Sequence, residues 1–389
     1  MNAQELRQIA DQYHTPCYVF DLESLKARMD AVKQLAQGHY RLCFSMKANP
    51  FLAADASEGL DQVEVCSPGE LAICRRQKIA PEKILYSGVN KGEADIKDAV
   101  RRGAALLTAE SLWQVQMIEA EGRKQNKEIP ILLRLTSGNQ FGMDLSDVYQ
   151  VLSHRADYPH LRIEGLHYFA GTQRTMKSQK KDLEMLAALY AKIRTQYGTA
   201  FRKLEYGPGL QAYLFAREDR SDTLKPLKDI HAYLCDLAQM SELTVECGRF
   251  MSAYCGYYLI SAADCKTSEG TSYCIVDGGM HQVHYDGSLM GMNAPEVIFL
   301  DESDGQERDW CVCGSLCTVN DVLIRRLHAR LKIGDRMAFA NAGAYAVTEG
   351  MSLFLSRDLP SVILRRQEGD WQLVRSSEDT GIWNTGKGR

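Results

Sequence analysis

Eight short β-prone runs alternate with six helix-period stretches between Tyr40 and Glu246, and that alternation constrains this chain's fold more than any single residue. The β-prone runs lie at 40–46, 62–66, 84–87, 105–108, 131–135, 163–168, 203–206 and 243–246. Between them, 68–77, 93–102, 111–122, 145–155, 178–197 and 224–240 carry apolar residues three and four apart, the spacing of an amphipathic helix. Such alternation predicts parallel strands joined by right-handed crossovers. Eight strands in about 210 residues is the count for a closed (β/α)8 barrel. An open doubly wound sheet is the alternative, but its glycine-rich dinucleotide turn after the first strand is missing here.

Upstream, 17–20 is short and apolar, and Asp21 reads as the N-cap of a helix through about Ala36. After Arg249 the texture becomes strand-like, at 254–265, 272–276, 297–300, 310–313, 336–340, 361–366 and 371–374, with glycine turns between. In this region 319–330 alone reads as a helix of any length. The expectation is an α/β protein: a (β/α)8 barrel over 16–250 and a mostly-β domain made of 251–389 with residues 1–15.

Composition narrows the function. The 389 residues are 45% hydrophobic and 25% charged with a net charge of −4, ordinary for a globular enzyme and without the basic footprint of a nucleic-acid binder. No apolar run reaches the length of a membrane span, and Met1 to Gln12 are polar and of mixed charge, unlike a secretory signal. A cytoplasmic protein with no membrane partner is expected. Its twelve cysteines then read as free thiols. The closest group, Cys311, Cys313 and Cys317, matches no zinc spacing, so no metal is expected.

The predicted mouth of the barrel holds the chemistry. In Phe44-Ser45-Met46-Lys47-Ala48-Asn49-Pro50, a strand ends in a lysine and breaks on Asn-Pro. Lys47 alone reads either as a snorkelling surface amine or as a desolvated amine that forms a Schiff base. Gly207-Pro208-Gly209 follows the seventh strand and Glu246-Cys247-Gly248-Arg249 the eighth. His167-Tyr168-Phe169-Ala170-Gly171-Thr172-Gln173 follows the sixth. Each alone reads equally as a turn, a salt bridge or core. Together, a lysine for an aldehyde, a carboxylate for a ring nitrogen, an aromatic face, and glycine amides with an arginine for a phosphate fit pyridoxal 5′-phosphate.

These residues resemble the barrel-type (fold type III) pyridoxal-phosphate decarboxylases, the group acting on diaminopimelate, ornithine and arginine. The resemblance runs from about Thr15 to Leu364. It rests on the Lys47 motif, Val65-Cys66-Ser67-Pro68-Gly69-Glu70-Leu71, Glu246-Cys247-Gly248-Arg249, Cys317 and Gly343-Ala344-Tyr345. It implies Lys47 and Cys317 as catalytic residues, Cys317 being lent by each subunit of a homodimer to its partner's site. It implies cofactor contacts from Lys47, Arg134, His167, Phe169, Thr172, Gly207, Gly209, Glu246, Gly248, Arg249 and Tyr345, and substrate contacts from Thr318, Asp321 and His281.

Three departures stand out. Phe169 replaces the family's stacking histidine. Pro208 removes an N–H from the glycine turn. Thr318 replaces the acid that classical diamino-acid decarboxylases place after the cysteine, where it attracts the substrate's distal ammonium. The ending Gly171-Thr172-Gln173, the run Asp277-Gly278-Gly279-Met280-His281, the pair Cys317-Thr318 and Phe354-Leu355-Ser356 are similar to a subgroup related to the butirosin-pathway decarboxylase. That enzyme acts on a glutamyl group tethered to an acyl carrier protein. The expected function is α-decarboxylation of an amino acid or a carrier-tethered aminoacyl group such as glutamyl. The alternatives are a free diamino-acid decarboxylase such as one for diaminopimelate, a racemase on a related barrel, and an inactive homologue that binds the cofactor or a regulatory partner.

Overall fold

A computed structural model describes residues 1–198 and 201–386. The last three residues of the expected 251–389 range therefore lie outside the described residues.

Strand β1 (Cys17–Asp21) precedes eight strands that close into a parallel barrel. These are β2 (Arg41–Ser45), β3 (Gln62–Val65), β4 (Ile84–Tyr86), β5 (Leu106–Ala109), β6 (Ile129–Arg134), β7 (Leu161–Phe169), β8 (Lys203–Gly207) and β9 (Glu242–Cys247). β2 closes the ring by pairing with β9, Cys43 opposite Glu246. All eight strands expected from the sequence are present, each within two residues of its expected ends. The strands are buried nearly throughout because helices cover the outer face and side chains fill the inside. Local chemistry sets the helix starts: Ser67 accepts from the Glu70 amide at 3.1 Å and Ser111 from the Gln114 amide at 3.2 Å.

The remaining strands form a mixed nine-stranded sheet with β1. They are β10 (Gly256–Ser268), β11 (Thr271–Val276), β12 (Val297–Phe299), β13 (Gln306–Cys313), β14 (Val322–Leu331), β15 (Arg336–Ala340), β16 (Ser361–Gln367) and β17 (Asp370–Arg375). The main path runs β14-β13-β11-β10-β1-β16-β17, and β15 pairs with β10 and β12. On one face the helix Ala3–Tyr13 packs Leu6, Ile9 and Ala10 against Cys17, Val19, Leu259, Ala338 and Ile363.

Two findings differ from the sequence reading. The helix expected at 319–330 is strand β14, which pairs antiparallel with β13 over Gln306–Cys313. Its apolar residues do fall three and four apart, but Ala329 and Leu331 alternate with exposed His328 and Arg330, and pairing with β13 satisfies the backbone. Cys17–Asp21, placed in the barrel range by sequence, lies instead between β10 and β16 in the mixed sheet. By contacts the chain divides into one compact unit of residues 1–27, 213–221 and 252–389, and another of 28–212 and 222–251.

Candidate active site

Lys47 sits in a single 3-10 turn, Met46–Ala48, immediately after β2. Asn49 is extended at φ −164°, as a residue before proline must be, and its side chain accepts from the Phe51 amide at 3.1 Å. The strand therefore stops at Ser45 and the chain turns sharply, carrying the Lys47 side chain to the barrel mouth. Its Nζ lies 3.1 Å from Glu64 Oε2, 3.7 Å from Cys66 Sγ and 5.4 Å from the centre of the Phe169 ring. Glu64 is the inward-facing acid of β3, its side chain 3% exposed.

Across the mouth, Glu246 on β9 faces His167 on β7, with Nε2 to Oε1 at 3.0 Å. A carboxylate only accepts, so Nε2 carries the proton; Nδ1 has no hydrogen-bond partner among the described residues. Burial alone would raise the Glu246 carboxyl. The positive field and hydrogen bond of His167, a hydrogen bond from Glu205 and the charge of Lys47 outweigh it and hold Glu246 down at about 2. Glu205 on β8 is pushed well above the usual carboxylate range, first by burial and then by the Glu246 charge. Two carboxyls side by side in a dry barrel cannot both ionise, and the proton stays on Glu205.

This split yields a prediction. Gln at position 205 keeps the donor and has no charge to desolvate. Because folding raises the Glu205 pKa, the wild type loses stability relative to Glu205→Gln as pH climbs above the unfolded carboxyl value of about 4.3. Urea midpoints at pH 4 and pH 8 should show a gap in favour of the variant that widens with pH.

Glycines clear the space between these groups. A Cβ on Gly207 would stand 2.5 Å from Phe169 Cδ2 and 2.8 Å from Glu246 Oε2. Gly209 has φ +61°, and a Cβ there would meet Gly171 O at 2.0 Å, so the loops after β7 and β8 lie backbone to backbone. Gln173 fastens them by exchanging hydrogen bonds with Ala212, at 2.7 Å and 3.0 Å. Thr172 is exposed in this loop pair, while Gly248 and the buried Arg249 follow β9. Arg134, at the end of β6, is buried, ion-paired to Glu110 and 4.9 Å from the Phe141 ring centre. A lysine amine, a buried ionised carboxylate, an aromatic face and a glycine-lined cradle within one barrel mouth are the donor set that pyridoxal phosphate takes. Glu64, His167 and Glu246 also bring ligand atoms within 4.8 Å of one another, but these atoms already engage Lys47 and each other.

The other expected residues belong to the unit that contains 252–389. Cys317 is exposed and Thr318 half-buried, on a loop between β13 and β14. Asp321 is buried; its carboxylate accepts from the amides of Met280 at 2.8 Å and Leu316 at 2.9 Å, which fixes the loop. His281 is 1% exposed, and neither ring nitrogen has a hydrogen-bond partner among the described residues. Burial and the nearby Arg357 lower it to about 4. Tyr345 holds a left-handed φ of 64° after Gly343, whose Cβ would strike Ser252 O at 1.9 Å.

Sequence reasoning missed Glu64, Cys66 and Glu205, and also Lys91, a buried amine that donates to the carbonyls of Ser87 and Gly88 and that burial lowers to about 8. A signal existed: in the runs 62–65 and 203–207, a glutamate alternates with apolar residues and so shares a face of its strand with other inward positions.

Residues 22–253 match the family model described as "Pyridoxal-dependent decarboxylase, pyridoxal binding domain". The chain is 27% identical over 403 aligned positions to the L-glutamyl-[BtrI acyl-carrier protein] decarboxylase of Niallia circulans, covering 96% of this chain and 94% of that one. It is 24% identical to the 2-[(L-alanin-3-ylcarbamoyl)methyl]-2-hydroxybutanedioate decarboxylase of Staphylococcus aureus, covering 93% of this chain and 97% of that one. In fold it is similar to the crystal structure of diaminopimelate decarboxylase from M. jannaschii in complex with L-lysine. There the TM-score is 0.85 at 18% identity, over 97% of this chain and 92% of that one. No helix among the described residues is long and apolar enough to cross a membrane.

Proposed function

We propose that this chain, which belongs to the pyridoxal-dependent decarboxylase family, releases the α-carboxylate as CO2 from an amino acid whose far-end carboxyl is held as an amide or thioester, a carrier-tethered glutamyl group being the substrate best supported. Its cofactor is pyridoxal 5′-phosphate, which when bound supplies a sink for the electron pair left by departing CO2.

Each side chain has a part in this reading. Lys47 is the amine that would hold the cofactor, and Glu64 is the carboxylate that pairs with its ammonium. Glu246, kept ionised by His167 and Glu205, holds a proton on the ring nitrogen. Phe169 gives the ring a stacking face. Gly207, Gly209, Thr172, Gly248 and Arg249 would take the phosphate, a role the resemblance gives to Tyr345 as well, and Arg134 braces the mouth through Glu110. Cys317 Sγ delivers the proton to the carbon that has lost CO2. It comes from a second copy of the chain: Cys317 is exposed, and beside it Val319 is 90% exposed, an apolar side chain of the kind a partner covers. Asp321 keeps that loop in shape, and His281 packs beneath it.

Thr318 carries the substrate reading. At the position where the resemblance puts an acid, a neutral hydroxyl cannot pair with a distal ammonium, and truncating one partner of a buried ion pair costs about 2–5 kcal/mol. An amide or thioester at the far end needs no such partner. The 27% relative is named for a carrier-linked glutamyl substrate, which agrees with this. Thr318→Glu tests it. Activity on diaminopimelate should rise by about tenfold or more while activity on glutamyl carrier protein falls, measured as CO2 release. A variant with no gain on any diamino acid would remove the argument from Thr318.

A further inference from the structure

Beside the Cys317 loop, a groove of about 630 Å³ runs along the open face of β11 and β13. Tyr273 lies opposite Cys311, and Ile275 opposite Cys313, so these four side chains share that face; their neighbours Cys274 and Val312 are buried on the other. The groove begins at Thr318, Leu316 and Val319, on the loop edge assigned above to a second copy, and ends at Lys266, Ser268 and Thr271. From Ile275 to Thr271 it follows β11 for about 13 Å at the usual rise of a strand. Its volume is within the ~300–1,000 Å³ typical of small-ligand sites.

We infer that this groove receives the phosphopantetheine arm on which a carrier protein presents its acyl group. The inference rests on the carrier-tethered reading above and deepens it. Residue 318 stands at the substrate's far end in that reading. A free diamino acid would end there, whereas a tethered one must continue, and the groove opens at that residue. The lining suits an arm of alternating amides and methylenes. Ile275, Leu316 and Cys313 give an apolar floor, and the hydroxyls of Tyr273, Thr271 and Thr318 give partners for amides. At the far end Lys266 is exposed, its Nζ 3.1 Å from Asp264 Oδ2. Lys266 is the cation at that end for the arm's phosphate.

The test compares holoenzyme turnover of S-glutamyl phosphopantetheine with that of the short S-glutamyl N-acetylcysteamine thioester. The wild type should show a KM at least about tenfold lower for the long arm. Thr271→Trp, which plugs the groove, and Lys266→Glu, which repels the phosphate, should each erase that difference while leaving kcat on the short thioester unchanged. Binding of phosphopantetheine itself, followed by calorimetry, should be lost in the same variants. Equal KM values for the two thioesters in the wild type, or variants that retain the long-arm advantage, would refute the groove alone. Variants that sediment as monomers would assign this face to a second copy of the chain instead. If neither thioester is decarboxylated while a free diamino acid is, the substrate reading fails and the groove's role falls with it.

Discussion

Lys47→Ala is expected to give a folded, colourless protein with CO2 release reduced at least about 10⁴-fold, the scale seen when a covalent catalyst loses its nucleophile. The amine 3.1 Å from Glu64 is the one nitrogen that the β2 turn delivers to the space between Phe169 and Glu246. Without it the cofactor has no covalent hold, so the visible absorption band of the bound cofactor should be missing as well. Lys47→Arg separates chemistry from structure. The guanidinium keeps a cation facing Glu64 but cannot condense with an aldehyde. It should match the wild type in urea midpoint and match Lys47→Ala in colour and activity. If Lys47→Ala keeps the visible band, a different lysine holds the cofactor, and Lys91 is the first to examine.

Glu246→Gln should have the second largest effect. The amide preserves shape and still accepts from His167, but it removes the charge that keeps a proton on the ring nitrogen. Loss of one preorganised electrostatic partner costs about 10²–10³-fold in kcat. The variant should remain coloured, because Lys47 is intact. Stability adds an independent check. The Glu246 pKa falls on folding, to about 2. Its carboxylate therefore stabilises the fold above the unfolded value of about 4.3, and that contribution is lost as pH falls from there towards 2. The wild type should lead Glu246→Gln at pH 6, with the lead shrinking by pH 3. A variant as active as the wild type would show that the ring nitrogen is held elsewhere.

The barrel was legible because parallel strands buried on both faces leave near-continuous apolar runs, separated by helices of clear period. Lys47, Phe169, Glu246, Gly207 and Gly209 were legible because strand ends in a barrel converge on one mouth, so breaks after successive strands become neighbours. Other parts were not legible, for physical reasons. In β14 the same apolar residues satisfy a period of 3.6 and, at Ala329 and Leu331, a period of two; only pairing with β13 decides between them. Cys17–Asp21 precedes the barrel in sequence, but its partners β10 and β16 lie more than two hundred residues away, a long-range pairing that no local pattern encodes. The helix Ala3–Tyr13 buries only a narrow stripe, Glu5, Leu6, Ile9 and Ala10, in a polar segment. Glu64 and Glu205 were passed over because a glutamate in a short strand ordinarily faces water, and only closure of the ring turns both inward beside Lys47 and Glu246.

α-Decarboxylation of an amino acid whose far end is masked is tested by CO2 release from the pyridoxal-phosphate-loaded protein, with glutamyl carrier protein and free diaminopimelate side by side. Stoichiometric CO2 is expected from the carrier-linked glutamyl group, with a kcat/KM at least about tenfold lower for diaminopimelate. Efficient decarboxylation of diaminopimelate with none of the glutamyl carrier protein would contradict it.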